Sequence, residues 1–333
     1  MKISMFFHPD TVKGIFPQKY IDRLSKSGDV FVYDRENFDD KAHILDFLAN
    51  SDIIITSWGT PPIDEEIIAA CPNLKGVFHA AGTVKPILSD ALMARTDIRL
   101  TAAAVAIGEG VAESALAFAI SACKGAFTLP KYTRDGLWSG PHKKQHVKDF
   151  YDINVGVISA GFVGRHMIKL LKNYHVNTLV YDPTLTPAQA EELGVRLCEL
   201  PEFLSECDVI SIHAPNIPAT HHLINKDNIG LLKENVTIVN TARGTIFDEP
   251  YLIERLKEKN GMFACIDITE VEPPAEDNEL RFLENVNLTP HIAGTVSNGL
   301  PRIALHICEE TERFVAGERM RTEINRESLS KMA

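Results

Sequence analysis

The stretch Ser159-Ala160-Gly161-Phe162-Val163-Gly164 follows the apolar run Ile153–Ile158 and opens a segment where Val163, Met167, Leu170, Leu171 and Tyr174 recur at helical spacing. A strand, a glycine-bearing turn and a helix in that order are what a dinucleotide needs. The glycines allow the tight bend, the close approach of pyrophosphate to backbone, and the packing of helix on strand. The helix start adds free N–H groups and a partial positive charge for the phosphates. Gly161 and Gly164 hold the last two glycine positions, while Ser159 stands at the first. The next predicted strand, Thr178–Tyr181, ends in Asp182, about 20 residues beyond the turn, where a carboxylate accepts hydrogen bonds from the ribose hydroxyls. Pro183-Thr184-Leu185-Thr186 brings no Arg or Lys to a 2′-phosphate, so the cofactor expected is NAD rather than NADP.

Further polar residues follow successive predicted strands of the same half. His213-Ala214-Pro215 leads to Thr220 after the third, and Thr241-Ala242-Arg243 follows the fourth. Asp267 closes the fifth and leads to Glu272-Pro273, and the sixth ends in Thr289-Pro290-His291. Ligands of doubly wound sheets bind outside the carboxyl ends of the strands, which is where all of these fall.

With these segments on view, the chain resembles the D-isomer-specific 2-hydroxyacid dehydrogenase family. The motifs are NTARGTIFDE, DITEVEPP and LTPHIAG, joined by HAPNIPATHHLIN and GVAESALA. The resemblance covers essentially the whole chain in order and is most specific in the second half. It implies Arg243, Glu272 and His291 as the catalytic set, and Asp267 on the nicotinamide carboxamide with the backbone near Thr241 assisting. The implied cofactor pocket comprises Ser159, Gly161, Phe162, Val163, Gly164, Asp182, His213, Ala214, Pro215, Thr220, Thr241, Ala242, Asp267, His291 and Gly294. The implied substrate side adds Trp58, Ala81 and Gly82 to Arg243, from the loops Ser57-Trp58-Gly59 and His79-Ala80-Ala81-Gly82-Thr83. In the family the second of these loops binds the substrate carboxylate, and Gly82 suits close backbone approach. Trp58 either walls the pocket or simply packs.

The residue types make chemical sense on their own. A 2-oxo acid offers a carboxylate and a carbonyl, and the planar, permanently charged guanidinium of Arg243 can hold both. Hydride delivered to the carbonyl carbon leaves an alkoxide that needs a proton, which His291 can supply near neutral pH. Glu272 beside the imidazole would fix its tautomer and favour the imidazolium. His213 reads either as a cofactor-pocket residue or as a satisfied structural histidine. His221-His222 lacks an acidic or Cys partner at ligand spacing, so no metal is expected. Two other readings stay open: an NAD-controlled regulatory binding protein of the same fold, and a formate-dehydrogenase-like reaction. The second is disfavoured because that relative pairs its His with Gln.

Elements to carry these residues are legible along the whole chain. Short β-branched runs alternate with helical patterns, predicting strands Lys2–Phe7, Val30–Tyr33, Asp52–Thr56, Lys75–Phe78 and Ile98–Leu100, then a second series that begins near Ile153 and includes Val209–His213, Thr237–Asn240, Phe263–Asp267 and Val286–Thr289. Gly110–Phe127 reads as a long packed helix, Pro301–Val315 as an amphipathic one, and Asp135–Lys148 as a polar surface segment. The expected fold class is α/β with two doubly wound parallel-sheet domains, a Rossmann NAD-binding domain (103–295) inserted into a flavodoxin-like substrate domain (1–102 and 296–333). The substrate domain is expected to face the nicotinamide across a cleft. A chain of 333 residues suits two cores. The net charge of −11, with no block of Lys or Arg, argues against a nucleic-acid partner. The apolar stretch Ala102–Cys123 is interrupted by Glu109 and Glu113 and suits a buried helix rather than a membrane span. Six scattered cysteines without a C-x-x-C pair read as reduced core residues. A cytoplasmic homodimer acting on a small molecule is the expectation that follows.

Overall fold

The computed structural model describes residues 1–138, 147–258 and 261–331. Much of the polar segment expected over Asp135–Lys148 therefore lies outside the described residues, as do 332 and 333 at the end of the expected substrate domain. The chain divides into two compact units, one formed by Met1–Ile107 with Thr295–Met332 and the other by Gly108–Gly294.

The first unit holds five parallel strands, β1 (Lys2–Met5), β2 (Asp29–Val32), β3 (Ile53–Thr56), β4 (Gly76–His79) and β5 (Arg99–Ala102), in the order β2-β1-β3-β4-β5. That is the flavodoxin-like order. Period-two alternation decides which side chains meet which layer. Ile53 and Ile55 join Ile3, Met5 and Phe78 beneath the helix Pro301–Val315, through Ile303 and Ile307. Ile54 points the other way, to Ile44, Leu48 and Ile67 on the helices Lys41–Leu48 and Glu65–Ala70.

Seven parallel strands make the second unit: β6 (Asn154–Ile158), β7 (Asn177–Tyr181), β8 (Arg196–Leu197), β9 (Val209–Ile212), β10 (Thr237–Asn240), β11 (Phe263–Ile266) and β12 (Val286–Leu288). Their order, β12-β11-β10-β9-β6-β7-β8, is the Rossmann arrangement with one added edge strand. The chain reverses its winding between β6 and β9, and such a switch point opens a crevice at the carboxyl ends. Alternation again sorts the core. Val155, Val157, Val180 and Val239 face the helix Phe162–Leu171 and the alanine face of Ala104–Cys123, while Ile210, Ile212, Ile238 and Ile266 face Phe203, Leu252 and Leu256.

The expected fold class holds, two doubly wound parallel sheets. Strand ends move by one or two residues, and the helix Pro301–Val315 falls where the periodicity put it. The alanine-rich helix runs Ala104–Cys123 rather than Gly110–Phe127. By length and composition alone it could cross a membrane, yet Ala112, Ala115, Ala119 and Ala122 are buried in the core of the second unit. The two-residue strand β8 has no counterpart in the sequence reading, being too short to show a period. All six cysteines are free and buried, and burial pushes the Cys265 and Cys308 thiols up to about 12.

Candidate active site

The turn after β6 is built around a missing side chain. A Cβ on Gly164 would stand 1.9 Å from the carbonyl oxygen of Ser159, so only glycine lets the helix Phe162–Leu171 start so close to the strand. A Cβ on Gly161 would meet nothing nearer than Ser159 Oγ at 3.9 Å, leaving the backbone at the helix N-cap open to a ligand. Ser159 itself has φ +72°, a left-handed conformation that explains why a glycine is the natural residue there. Asp182, at the tip of β7, accepts the Ala160 N–H at 2.8 Å on Oδ2 and the Thr184 N–H and hydroxyl on Oδ1 at 2.8 and 2.7 Å. It thus fixes the turn as well as ending the strand, and a carboxylate keeps lone pairs for further donors. Phe162 is exposed, and Val163 lies beside Gly108, where a Cβ would approach it to 3.2 Å.

The loops after β9 and β10 carry buried polar atoms without a partner among the described residues. His213 bonds Ser211 Oγ through Nε2 at 2.9 Å, but its Nδ1 is buried and unpartnered, as is Thr241 Oγ1. Burial pushes His213 down to about 3, so the ring is neutral at ordinary pH. Such orphaned groups are rare in folded proteins and fit a bound polar molecule. Ala214 is buried, and Thr220 closes the turn at Pro215 by donating to its carbonyl and accepting the Ile217 N–H.

Arg243 projects from the loop after β10. Asn240, the first residue of the NTARGTIFDE motif and the last of β10, holds this loop from within. Its Oδ1 accepts the Ala242 N–H at 3.1 Å and its Nδ2 donates to Arg243 O at 2.9 Å. Arg243 Nη1 donates to Ala242 O at 2.6 Å, and burial draws the guanidinium below its ordinary value while the charge of Glu272 acts the other way. A Cβ on Gly244 would lie 2.2 Å from Glu270 N, so the Arg243 loop rests directly on the backbone leading to Glu272.

Asp267 organises the last loop. Its Oδ1 accepts the Thr289 hydroxyl at 2.6 Å and the Ile292 N–H at 2.9 Å, its Oδ2 the Ala293 N–H at 2.8 Å, and its carbonyl the His291 N–H at 2.9 Å. Held this way, His291 adopts φ +51° and turns its Nδ1 to Glu272, 3.0 Å from Oε2 and 3.2 Å from Oε1. Gly294 follows Ala293 directly at the end of this unit. A cavity of about 590 Å³ opens here, lined by Asp267, Thr269, Glu272, Thr289 and His291 among others. His222, by contrast, stacks on His221 and bonds Glu270 Oε1 at 3.1 Å, a bracing contact.

In the first unit, buried hydrogen bonds shape the loops after β3 and β4. Ser57 Oγ donates to Ala80 O at 2.9 Å, and Thr60 Oγ1 donates to Phe6 O while accepting the Ser57 N–H, both at 3.0 Å. His79, pushed down to about 4 by burial, meets Thr56 Oγ1 at 2.9 Å. Ala81 is buried, Gly82 is half-buried and Trp58 is largely exposed.

A Rossmann-ordered sheet with an open glycine turn and orphaned polar atoms beside it defines a dinucleotide-binding domain, and Arg243, Glu272 and His291 lie at its carboxyl ends. Residues 116–293 match the family described as D-isomer specific 2-hydroxyacid dehydrogenase, NAD binding domain, and the chain belongs to that family. It is 32% identical to a D-3-phosphoglycerate dehydrogenase of Archaeoglobus fulgidus over 80% of this chain and 50% of that one. It is 28% identical to a glyoxylate reductase of Korarchaeum cryptofilum over 91% of each. The chain thus spans about half the length of the phosphoglycerate dehydrogenases it matches first. A phosphoglycerate oxidoreductase from Rhizobium etli shares the fold, with a TM-score of 0.82 at 20% identity over 98% of each chain.

Proposed function

We propose that this protein reduces a small 2-oxo acid to the D-2-hydroxy acid with NADH and catalyses the reverse with NAD. The observation that carries this reading is the His291–Glu272 pair, on strand-end loops of the same unit as the dinucleotide turn and Arg243. The bound nicotinamide supplies or accepts the hydride. Arg243 binds carboxylate and carbonyl oxygen, holding the acid in one orientation and stabilising the developing negative charge. His291, its Nδ1 taken by Glu272, presents Nε2 to the oxygen and gives or takes the proton there. Gly161 and the first N–H groups of the following helix take the pyrophosphate, with exposed Arg165 in the same first turn adding positive charge. Asp182 takes the ribose hydroxyls, and Thr241, Asp267 and His213 line the nicotinamide side.

Relatives named for phosphoglycerate and glyoxylate both act on short 2-oxo or 2-hydroxy acids, which sets the class to test. The test is NADH oxidation by purified protein with glyoxylate, hydroxypyruvate, its phosphate ester and phenylpyruvate. Turnover with at least one, and chiral analysis giving the D product, is the expected result. NADH binding without turnover on any of them overturns the reading in favour of a regulatory binder. A cytoplasmic homodimer accompanies the proposal, and light scattering on the purified protein checks the dimer.

A further inference from the structure

Glu272 sits on an excursion that the core does not hold. From Val271 to Asp277 all but one residue is exposed, Val271 at 70%, so apolar burial cannot fix the loop. Arg281 Nη1 donates to Ala275 O at 3.2 Å in its middle, and its two ends are closed by Glu249, at the first position of the helix Glu249–Glu258, which is itself anchored by buried Leu252 and Leu256. One carboxylate oxygen of Glu249 accepts the Glu270 N–H at 3.0 Å, and the other accepts Asn278 Nδ2 at 2.7 Å. The two donors lie at the two ends of the excursion, so a single side chain ties both feet of the loop to a rigid helix. Hydrogen bonds to an ionised acceptor are stronger than neutral ones, and a carboxylate in the first turn of a helix is favoured by the helix dipole. The Glu270 side chain adds a brace to His222, and Thr269 Oγ1 donates to Val271 O at 2.8 Å.

We infer that Glu249 is a positioning residue for the Glu272–His291 pair: by clamping both ends of the 270–278 loop it keeps the Glu272 carboxylate within reach of the imidazole. Among the described residues Glu249 has no hydrogen bond or ion pair to His291 or Arg243, and it acts through the loop. The inference rests on the acid–base reading of that pair.

The experiment compares Glu249→Ala, Glu249→Gln, Glu272→Gln and the double variant Glu249→Ala/Glu272→Gln. Two readings are taken: kcat with glyoxylate and NADH, and the titration of His291 in histidine-labelled protein by NMR, assigned with His291→Ala. The other charged groups around the pair, Arg243, Asp267 and Arg281 together with Glu270, Glu276 and Asp277 on the loop itself, are unchanged throughout. Glu249→Ala should lower kcat about tenfold, a loss in the range that misplacement of a reacting group produces, with NADH affinity within about twofold of wild type. It should move the His291 titration in the same direction as Glu272→Gln, and the double variant should move it no further, because both changes remove one interaction. Glu249→Gln, which keeps an oxygen for the Glu270 N–H, should recover much of the loss. An unmoved titration in Glu249→Ala, or effects that simply add in the double variant, overturns the inference. Should Glu249→Ala not fold, Asn278→Asp cuts the other foot of the clamp and is read the same way. Absence of turnover in wild type would count against the proposed function alone, since the titration still decides the clamp.

Discussion

Gly164 lies against the carbonyl of Ser159, so close that a Cβ would stand 1.9 Å from the oxygen. The dinucleotide turn is therefore set by two residues with opposite demands. Position 164 has no room for a side chain, while position 159 has room but an unfavourable backbone, φ +72°. Ser159→Gly should relieve left-handed strain, partly offset by the greater freedom glycine gives the unfolded chain, for a net gain of up to about 1 kcal/mol. NADH affinity should change by less than about thirtyfold, since backbone effects of this kind amount to about 1–2 kcal/mol. Gly164→Ala should instead abolish NADH binding or folding. Calorimetric titration with denaturant unfolding reads both, and a Gly164→Ala protein that binds like wild type would refute this account of the turn.

Arg243 is half-buried, and burial draws its guanidinium below the ordinary value without neutralising a group whose reference lies so high. Arg243→Ala should cut kcat by about 10²–10³, the range seen when one donor to a developing anion is removed. NADH binding should be largely preserved. Arg243→Lys should recover little, because an ammonium cannot reproduce the planar fork. Near-full activity in the lysine variant would make Arg243 a structural residue.

Much of this was readable in the residues themselves. Short β-branched runs gave both sheets because the central strands are buried on two faces, and the strand-end polar residues stand out against those runs, as Asp267 and His291 do. What the sequence hid was indirect. Asn240 and Glu249 sit inside recognisable motifs, but their roles depend on which loop each carboxamide or carboxylate meets across the fold, and no local spacing encodes that. The motif resemblance points Asp267 only toward the nicotinamide, whereas its carboxylate takes three donors from the His291 loop. Those partners come from a different strand end, brought alongside only by the sheet order.

Two buried histidines make stability depend on pH. His79 is pushed down to about 4 and His213 to about 3, so both stay neutral in the fold where an unfolded chain takes up protons near 6.5. Their contribution is fully present above pH 6.5 and is lost as pH falls from there towards 4 and 3. At pH 5 each should cost on the order of 2 kcal/mol relative to pH 7. Denaturant unfolding at pH 7 and 5 measures the loss, and His79→Asn and His213→Asn should each remove part of it. A pH slope identical in both variants and wild type would show that other groups carry it.

The proton-transfer assignment is the most exposed to test. Asp267 fixes the loop, the loop holds His291 at φ +51°, and Glu272 engages Nδ1, so among the described residues Nε2 is the ring nitrogen left without a partner. Reduction needs the imidazolium, so kcat/KM for the oxo acid should fall as pH rises through the histidine titration, and oxidation of the hydroxy acid should show the opposite limb. Glu272→Gln keeps the shape but removes the charged acceptor that holds Nδ1, which should lower kcat/KM in both directions. His291→Ala should slow both directions by about 10²–10⁴ and flatten the limb. Profiles of kcat/KM against pH for wild type, Glu272→Gln and His291→Ala decide the matter. If Glu272→Gln leaves kcat/KM unchanged in both directions, the acid does not hold the ring for proton transfer. If His291→Ala retains both rate and limb, another group donates the proton, and the assignment of His291 is wrong.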